Sequence, residues 1–385
     1  MIENWTLRRL AYPGWKKRVG PLEESQYFPR QKVVSRGTTQ VTSSATRFSP
    51  SHSSAGIALA FPQELLFQTQ TRTVILSRAG KAPQVWEAQP GDSDLPFRVF
   101  SLTKSLFTLL WAAVRLELSL PENVPLVNLG LPFRHPVPPE LTLEHVWRMA
   151  SGIRFQESFR WGSEQVRTFL HPNSRQTVLE ARFTGRVGQT FHYNDYHTLL
   201  LGMLLEQALG GPSQDSQDPV LVQAWRERLW EPWGMESPCW WILDSQKWRF
   251  PKTESGLVLS ARTLEALGRL LLNQGVHQGR QLWDHSWLAQ GWERQSSWHR
   301  PQDFSNVAGA WGNWLRQGKA WYGRHWWGLE RRGEEAFFAL GIHGQVLLLR
   351  PAISGVAVRL GNRWGTEQRW PEVLFDLLDD PGLVG

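Results

Sequence analysis

Hydrophobic residues in the middle of the chain recur at the spacing of α-helices. Residues 105–118 and 196–209 are almost continuously apolar, which predicts helices that are buried on most sides. Residues 142–149 fit a shorter helix. Residues 261–273 predict an amphipathic helix, since four leucines fall on one face at helical spacing: Leu264, Leu267, Leu270 and Leu271. The region from about 105 to 295 is therefore predicted to be mainly helical, with long loops.

Short runs of β-type residues flank this helical middle on both sides. They are residues 57–61, 73–77 and 84–87 before it, and 326–329, 336–341, 345–350 and 355–360 after it. A last helix is predicted over residues 372–379. Strands from both ends of a chain around a helical middle predict an α+β fold, an α/β sandwich with one antiparallel sheet built from N- and C-terminal segments. Residues 1–54 predict a loop-rich extension before one domain at 55–385, because residues 40–54 are rich in Ser, Thr and Pro.

Composition narrows the classes of protein that the chain can belong to. The 385 residues are enough for a large core. The sequence contains no apolar run of 18 residues, so no membrane-spanning helix is predicted. The N-terminal region lacks the apolar core of a signal peptide, so a cytoplasmic location is expected. Cys239 is the only cysteine, which excludes disulfides within the chain and cysteine metal clusters. Neither a metal nor a cofactor is predicted, and the oligomeric state stays open.

Charge and aromatic content add two further expectations. The net charge is +7, but the basic residues are scattered along the chain, which favours a solvated surface over a nucleic-acid partner. The 23 tryptophans are unusual. They are interpreted first as bulky side chains that fill a core and a cleft wall, and second as a platform for a ligand.

The segment of residues 101–104, with the sequence SLTK, carries the strongest chemical signal. Ser101 stands where a turn-rich stretch gives way to an apolar helix, and Lys104 follows one turn later on the same helix face. That spacing places an amine beside a hydroxyl, as a serine nucleophile activated by a lysine requires. Taken alone the motif is weak, and a chance occurrence or a helix cap is its commoner explanation.

Two later segments add candidate chemistry. Tyr193 follows a turn at the start of a predicted helix, where its phenol could transfer a proton in a cleft, although a half-buried structural tyrosine is the commoner case. Residues 339–345, with the sequence ALGIHGQ, join two β-type runs. Gly344 there could let a strand edge approach a substrate, or it could simply form a hairpin turn.

Taken in order, these segments resemble the serine β-lactamase and penicillin-binding-protein superfamily. The resemblance is closest to its class C-like branch of esterases, D-aminopeptidases and aminohexanoate-oligomer hydrolases, and it runs from about residue 70 to 365. Softer matches occur in the same order: residues 141–152, which end in Ser-Gly, 193–202, 254–262 and 322–345. The resemblance implies a β-lactamase/transpeptidase-like fold.

The resemblance also implies roles for individual residues. Ser101 would be the nucleophile of an acyl-enzyme mechanism, Lys104 a neutral general base, and Tyr193 the group that passes the proton to the leaving group. The backbone N–H of Ser101 and one from the strand at Gly344 and Gln345 would form the oxyanion hole.

The sequence departs from the family pattern at two places. Asp195 stands two residues after Tyr193, where penicillin-active relatives have Asn, and it would favour the charged form of the lysine. His343 and Gly344 stand where the family has Lys-Thr-Gly, so the cation that meets a substrate carboxylate is missing. Residues 252–254 read KTE, but they lack the glycine and lie in the helical middle.

These departures predict a serine hydrolase that acts on a small ester or amide. The alternatives are a β-lactamase or D-Ala-type peptidase, and a non-catalytic binding protein on the same fold.

Overall fold

The computed structural model describes residues 30–33, 61–120, 122–158, 160, 162–212, 217–235, 237–294, 304, 309–364 and 369–380. The helices are α1 (Gln63–Gln68), α2 (Leu102–Val114), α3 (Leu143–Trp147), α4 (Glu164–Leu170), α5 (Ser174–Leu179), α6 (Asp195–Ala208), α7 (Val220–Trp225), α8 (Ala261–Leu272), α9 (His285–Ala289), α10 (Gly309–Arg316) and α11 (Trp370–Leu377). The strands are β1 (Arg30–Val33), β2 (Thr71–Arg78), β3 (Gln84–Glu87), β4 (Phe97–Arg98), β5 (Cys239–Ile242), β6 (Leu257–Leu259), β7 (Val276–His277), β8 (Arg280–Gln281), β9 (Ala320–Gly323), β10 (Trp326–Arg331), β11 (Glu334–Gly341), β12 (Gln345–Arg350) and β13 (Gly355–Gly361).

A seven-stranded antiparallel sheet forms the centre of the molecule, in the order β3-β2-β13-β12-β11-β10-β9. The two ends of the chain meet at the pairing of β2 with β13, where Ile75 lies opposite Val358. The predicted α+β fold, with one antiparallel sheet from N- and C-terminal segments, is confirmed.

Both faces of this sheet are covered, which explains why its central strands are apolar at almost every position. Alternate residues of each strand enter different cores: Ile75 and Val358 pack with α2 and α8, whereas Val74 and Leu348 pack with α11. All thirteen residues of α2 are buried. The sheet is therefore the middle layer of a sandwich. The N-terminal end of α2 lies at the edge of one of the two cores.

A second sheet departs from the sequence-based expectation. Its strand order is β1-β5-β6-β4, and β1 (Arg30–Val33) pairs with β5 in an antiparallel register. This part of the predicted extension is thus integrated into the fold. Of the strand predicted at residues 57–61, only Phe61 is described, and it is not part of a strand. The predicted linker at 40–54 lies outside the described residues.

Most of the predicted elements agree with the structure to within a few residues. The largest shift concerns the helix predicted at 105–118, which begins at Leu102 and ends at Val114. In the part of the chain that the structure describes, no helix is long and apolar enough to cross a bilayer. The packing role expected for the tryptophans is confirmed for a large subset, which is fully buried: Trp111, Trp225, Trp230, Trp241, Trp283, Trp287, Trp326 and Trp370.

Candidate active site

Ser101 stands at the N-cap of α2, directly after Phe100, whose backbone conformation is unusual for a residue other than glycine. Phe100 has a φ of 50°, in the left-handed region that non-glycine residues rarely adopt. The turn is held by two backbone bonds, from Thr103 to the Phe100 carbonyl at 2.8 Å and from Lys104 to the Ser101 carbonyl at 3.0 Å. Strain of this kind concentrates at functional sites, where it aims a side chain that the helix alone would not present. Ser101 is half-buried and lines a cleft.

Lys104 is 1% exposed, and its ammonium group has three partners. The Nζ atom donates to Ser101 Oγ at 3.0 Å, to Asp195 Oδ1 at 2.7 Å and to the Glu254 carbonyl at 3.0 Å. The sequence spacing therefore brings the amine to the hydroxyl as expected. The same three acceptors use every N–H bond of a charged ammonium group.

The charge of Lys104 differs from the sequence-based expectation of a neutral amine. Burial lowers the pKa of Lys104, but the negative charge of Asp195 and its hydrogen bond, with further contributions from Tyr193 and Glu254, raise it by more. The pKa of Lys104 consequently lies above its ordinary value, and the resting enzyme holds an ammonium ion. The sequence indicates that Asp195 favours the charged form of Lys104, but it does not give the distance between the two groups. That distance decides whether the lysine is charged.

Tyr193 lies beside this pair because of the way α6 begins. Asn194 caps α6 by accepting a bond from the Tyr196 N–H at 3.1 Å, which leaves Tyr193 just outside the helix. Lys104 Nζ lies 5.0 Å from the centre of the Tyr193 ring. Burial raises the pKa of Tyr193, while the charge of Lys104 and hydrogen bonding to Ser101 offset part of the rise. The phenol is therefore protonated at neutral pH and is available as a proton donor.

His343, Gly344 and Gln345 lie near the cleft, but they do not form part of its wall. The Gln345 side chain is fully buried and exchanges two hydrogen bonds with the backbone of Gly361, at 2.6 and 3.0 Å. The His343 ring packs edge-on against Phe100, with ring centres 5.4 Å apart. None of the three residues lines the cleft, whereas Gly341 and Ile342, at the end of β11, do.

The turn between β11 and β12 is fixed from behind by Arg359. Its guanidinium group is buried and donates to the carbonyl groups of His343 and of Gly344, the latter at 2.8 Å. Gly344 has a φ of 77°, and a Cβ atom there would come within 2.4 Å of Arg359 Nη1. Gly344 is thus required by the support of the turn.

Gly341 allows a close approach between two backbone segments of the protein, which differs from the approach to a substrate expected of Gly344. A Cβ atom at Gly341 would lie 2.1 Å from the carbonyl oxygen of Val99, two residues before the serine. Glycine therefore lets the end of β11 come against the segment that leads into Ser101. This contact brings the Gly341–Ile342 backbone to the same cleft as the Ser101 hydroxyl.

The cleft has a volume of about 1040 Å³, including space that is open to solvent. Aromatic and aliphatic side chains form much of its wall: Phe155, Phe169, Phe191, Trp327, Leu340, Ile342 and Trp364. The polar side chains that line it are Ser101, Glu157, Gln165, His192, Tyr193, Asn194, Asp195 and Ser255. The site thus combines a serine–lysine–tyrosine cluster with a largely apolar pocket.

Two contributors to the site were not identified from the sequence. Glu254, in the segment that was set aside because it lies in the helical middle, supplies a backbone carbonyl to Lys104. No side-chain motif marks such a contact. Glu157 lines the cleft but belongs to none of the motifs described above. Its signal in the sequence is a carboxylate five residues after the Ser151–Gly152 turn.

Comparisons with known proteins agree with this architecture. A sequence model of the β-lactamase family matches residues 65–377. No curated protein matches the chain by sequence. Among solved structures, the chain is similar to a protein assigned as a 6-aminohexanoate-dimer hydrolase from Bacillus anthracis, with 18% identity and a TM-score of 0.67 over 94% of this chain and 92% of that one.

Two further solved structures are similar to the chain. EstCE1, a hydrolase with promiscuous acyltransferase activity, has 16% identity and a TM-score of 0.58 over 83% of this chain and 96% of that one. A D-amino acid amidase from Ochrobactrum anthropi SV3 has 13% identity and a TM-score of 0.55 over 83% of this chain and 97% of that one. At these identities the likeness shows a shared fold. Since the family model spans most of the sequence, the chain belongs to the β-lactamase family of serine hydrolases.

Proposed function

We propose that this protein hydrolyses a small ester or amide through an acyl-enzyme on Ser101. The observation that carries the proposal is the 3.0 Å contact between Lys104 Nζ and Ser101 Oγ, beside Tyr193 and at the edge of an open apolar cleft. A hydroxyl, an amine and a phenol in such proximity form a minimal set for nucleophilic catalysis with proton transfer.

The reaction begins from the minority of molecules in which Lys104 has lost its ammonium proton. The neutral amine accepts the proton of Ser101 as Oγ attacks the substrate carbonyl. Tyr193 donates its proton to the leaving oxygen or nitrogen and recovers one from Lys104. Water then attacks the acyl-enzyme with the proton transfers reversed, which releases the acid and restores Ser101. Because Lys104 must be neutral, the rate should rise with pH.

The backbone N–H groups of Ser101 and Ile342 are the proposed oxyanion donors. This assignment replaces the earlier expectation for Gly344 and Gln345, because Ile342 lines the cleft and they do not. Pre-oriented donors of this kind typically contribute about 3–4 kcal/mol each to transition-state stabilisation. The buried support from Arg359 would keep the Ile342 backbone from shifting as charge develops on the oxygen.

The charge of the cleft favours neutral esters and amides over β-lactams. Among the described residues that line it, none is Lys or Arg, so a substrate carboxylate has no cationic partner there. Burial, with the charges of Arg359 and Arg98, lowers the pKa of His343 to about 4. The imidazole is therefore neutral at pH 7 and does not replace the missing lysine.

The test is labelling by a fluorophosphonate probe, followed by intact mass and peptide mapping. Wild type should gain one adduct on the peptide that contains Ser101, and Ser101→Ala should gain none while its circular dichroism is unchanged. Ser286→Ala, which removes an exposed hydroxyl at the start of α9, serves as the matched control and should label normally. An adduct that persists in Ser101→Ala would refute the assignment of the nucleophile.

A further inference from the structure

Residues 252–254, which read KTE, place two opposite charges in the interior beside the candidate active site. Lys252 and Glu254 are each 1% exposed, and Lys252 Nζ lies 3.4 Å from Glu254 Oε1. Neither side chain lines the cleft. Removing both charges from water is costly, and a well-packed apolar pair of similar volume is often at least as stable. Stability alone therefore does not account for this ion pair.

The carboxylate of Glu254 is held by residues on either side of it in the chain. Besides the ion pair with Lys252, the Ser255 hydroxyl donates to Glu254 Oε1 at 3.0 Å. Lys252 also donates to the Thr168 carbonyl at 2.6 Å. Arg98 donates to both the carbonyl and the hydroxyl of Ser255, each at 3.1 Å. Because these partners are themselves bonded to other segments, the carboxylate fixes the place of the Glu254 backbone.

The backbone at Glu254 is also tied to α6, the helix that begins at Asp195. Thr253 Oγ1 donates to the Thr198 carbonyl in α6 at 2.9 Å. The Glu254 carbonyl accepts from Lys104 Nζ at 3.0 Å, and Asp195 Oδ1 accepts from the same nitrogen at 2.7 Å. These two acceptors of the lysine are therefore connected to one helix, which keeps them in a fixed relation to each other.

The two acceptors determine where the lone pair of a neutral Lys104 points. A neutral amine has two N–H bonds and one lone pair, whereas three acceptors surround this nitrogen. When the N–H bonds go to Asp195 and to the Glu254 carbonyl, the lone pair faces Ser101 Oγ and can take its proton without rotation. If the Glu254 carbonyl shifted away, an N–H bond would be free to turn towards Ser101, and the lone pair would then face elsewhere.

We propose that the buried carboxylate of Glu254 positions the general base, by fixing the Glu254 carbonyl so that the lone pair of neutral Lys104 faces Ser101. Glu254 is then a positioning residue, and Lys252 neutralises its charge in the interior. This inference rests on the proposed function, because it concerns the step in which the lysine accepts the serine proton. It assigns a part in that step to an ion pair that does not line the cleft.

The kinetic test compares Glu254→Ala with Glu254→Gln in the hydrolysis of p-nitrophenyl butyrate. Glu254→Ala removes the anchor of the carbonyl, so kcat should fall by about ten- to a hundredfold, as expected for a misdirected base. KM should change by less than about twofold, because the ion pair does not line the cleft. Glu254→Gln keeps an oxygen that can accept from Ser255, and it should retain most of the wild-type kcat.

A double variant covers the case in which the unpaired lysine prevents Glu254→Ala from folding. Lys252→Met/Glu254→Ala removes both charges, so no unpaired cation remains in the interior. Its circular dichroism should match wild type, while its kcat should be as low as that expected for Glu254→Ala. The matched control is Glu206→Ala, since Glu206 is 3% exposed and bonds to Arg175 at 2.6 Å outside the cleft. This control should lower the free energy of unfolding and leave kcat unchanged.

A spectroscopic test examines the lysine directly, whether or not hydrolysis is detected. The protein is labelled with ¹³C at the lysine Cε atoms, and the Lys104 signal is assigned by its absence from the spectrum of Lys104→Arg. Relaxation should show a rigid Lys104 methylene group in wild type and in Glu254→Gln. It should show additional motion in Glu254→Ala and in the double variant, and equal rigidity in all four proteins would overturn the proposal.

The outcomes separate the failure of this inference from the failure of the proposed function. Hydrolysis that depends on Ser101 but has a normal kcat in Glu254→Ala or in the double variant would overturn the role of Glu254 alone. A loss confined to KM would do the same, because it would indicate an effect on substrate binding. Absence of a Ser101 adduct in wild type would refute the proposed function, while the relaxation measurement would still decide whether Glu254 fixes the amine.

Discussion

The contact between Asp195 and Lys104 makes a quantitative prediction about the pH dependence of the reaction. Asp195→Asn removes a negative charge 2.7 Å from the Lys104 amine but keeps an oxygen acceptor at that place. At this distance the lost attraction is about 1.5 kcal/mol with the dielectric constant of water and about 6 kcal/mol with an effective value of 20. Since about 1.4 kcal/mol corresponds to one pKa unit, the pKa of Lys104 should fall by roughly one to four units.

The sign of the effect follows from the requirement for a neutral amine. A lower pKa increases the fraction of Lys104 that can accept the Ser101 proton at a given pH, so the acidic limb of kcat/KM should move to lower pH. The assay is a pH profile of p-nitrophenyl butyrate hydrolysis from pH 5 to 10. Asp94→Asn removes an exposed carboxylate that pairs with Arg262 outside the cleft, and its profile should match wild type.

An acidic limb that stays in place in Asp195→Asn would refute the reasoning. It would mean either that the ionisation of Lys104 does not control the rate or that another group is the base. A limb that moves to higher pH would contradict the expected sign of the effect.

Three further predictions concern other parts of the site. Gly341→Ala should destabilise the protein by about 1–3 kcal/mol and abolish hydrolysis, because the added methyl group would clash with the Val99 carbonyl. Urea unfolding and the ester assay check this, and normal activity would contradict the close approach of Gly341 to Val99. Glu157→Gln should raise the free energy of unfolding by about 1–3 kcal/mol above pH 7 and leave it unchanged below pH 4.5. The pKa of Glu157 is higher in the folded protein than in the unfolded chain, so ionisation of the carboxyl group destabilises the folded state as the pH rises between these values. Urea unfolding at pH 4 and pH 8 measures the difference, and equal effects at both pH values would contradict it. Nitrocefin should be hydrolysed about 10- to 150-fold more slowly than p-nitrophenyl butyrate, because a charge-assisted contact worth about 1.5–3 kcal/mol is missing; comparable rates would show that the cleft does bind a carboxylate.

The parts of the site that the sequence predicts are those where chemistry follows from local spacing. Lys104 lies three residues after Ser101 in one helix, so its contact with the serine is determined once the helix forms. The strands at residues 345–350 and 355–360 could be predicted because they are continuously apolar between turns. In these cases the interaction that matters is encoded within a few residues.

The parts that the sequence does not predict depend on how distant segments come together. The assignment of the cleft wall to Gly341 and Ile342 instead of Gly344 and Gln345 depends on where β11 ends and how Arg359 holds the turn. The strand Arg30–Val33 gains its conformation from pairing with β5 and not from a strong local pattern. Such contacts are tertiary, and they override local propensity.

The pairing of β2 with β13 has a consequence for how the molecule is made. Arg359 and Thr71, which are hydrogen-bonded across this part of the sheet, are 288 positions apart in the chain. At ribosomal speeds of about 5–20 residues per second, β13 is synthesised roughly 15–60 s after β2. Throughout that interval Val74, Ile75 and Leu76, which are buried in the finished sheet, have no β13 to pair with. Nascent chains and fragments that stop before residue 355 therefore present an apolar strand with one edge unpaired, because β3 can cover only the other edge. Holdase chaperones or aggregation should compete for that edge until the last strands have been synthesised.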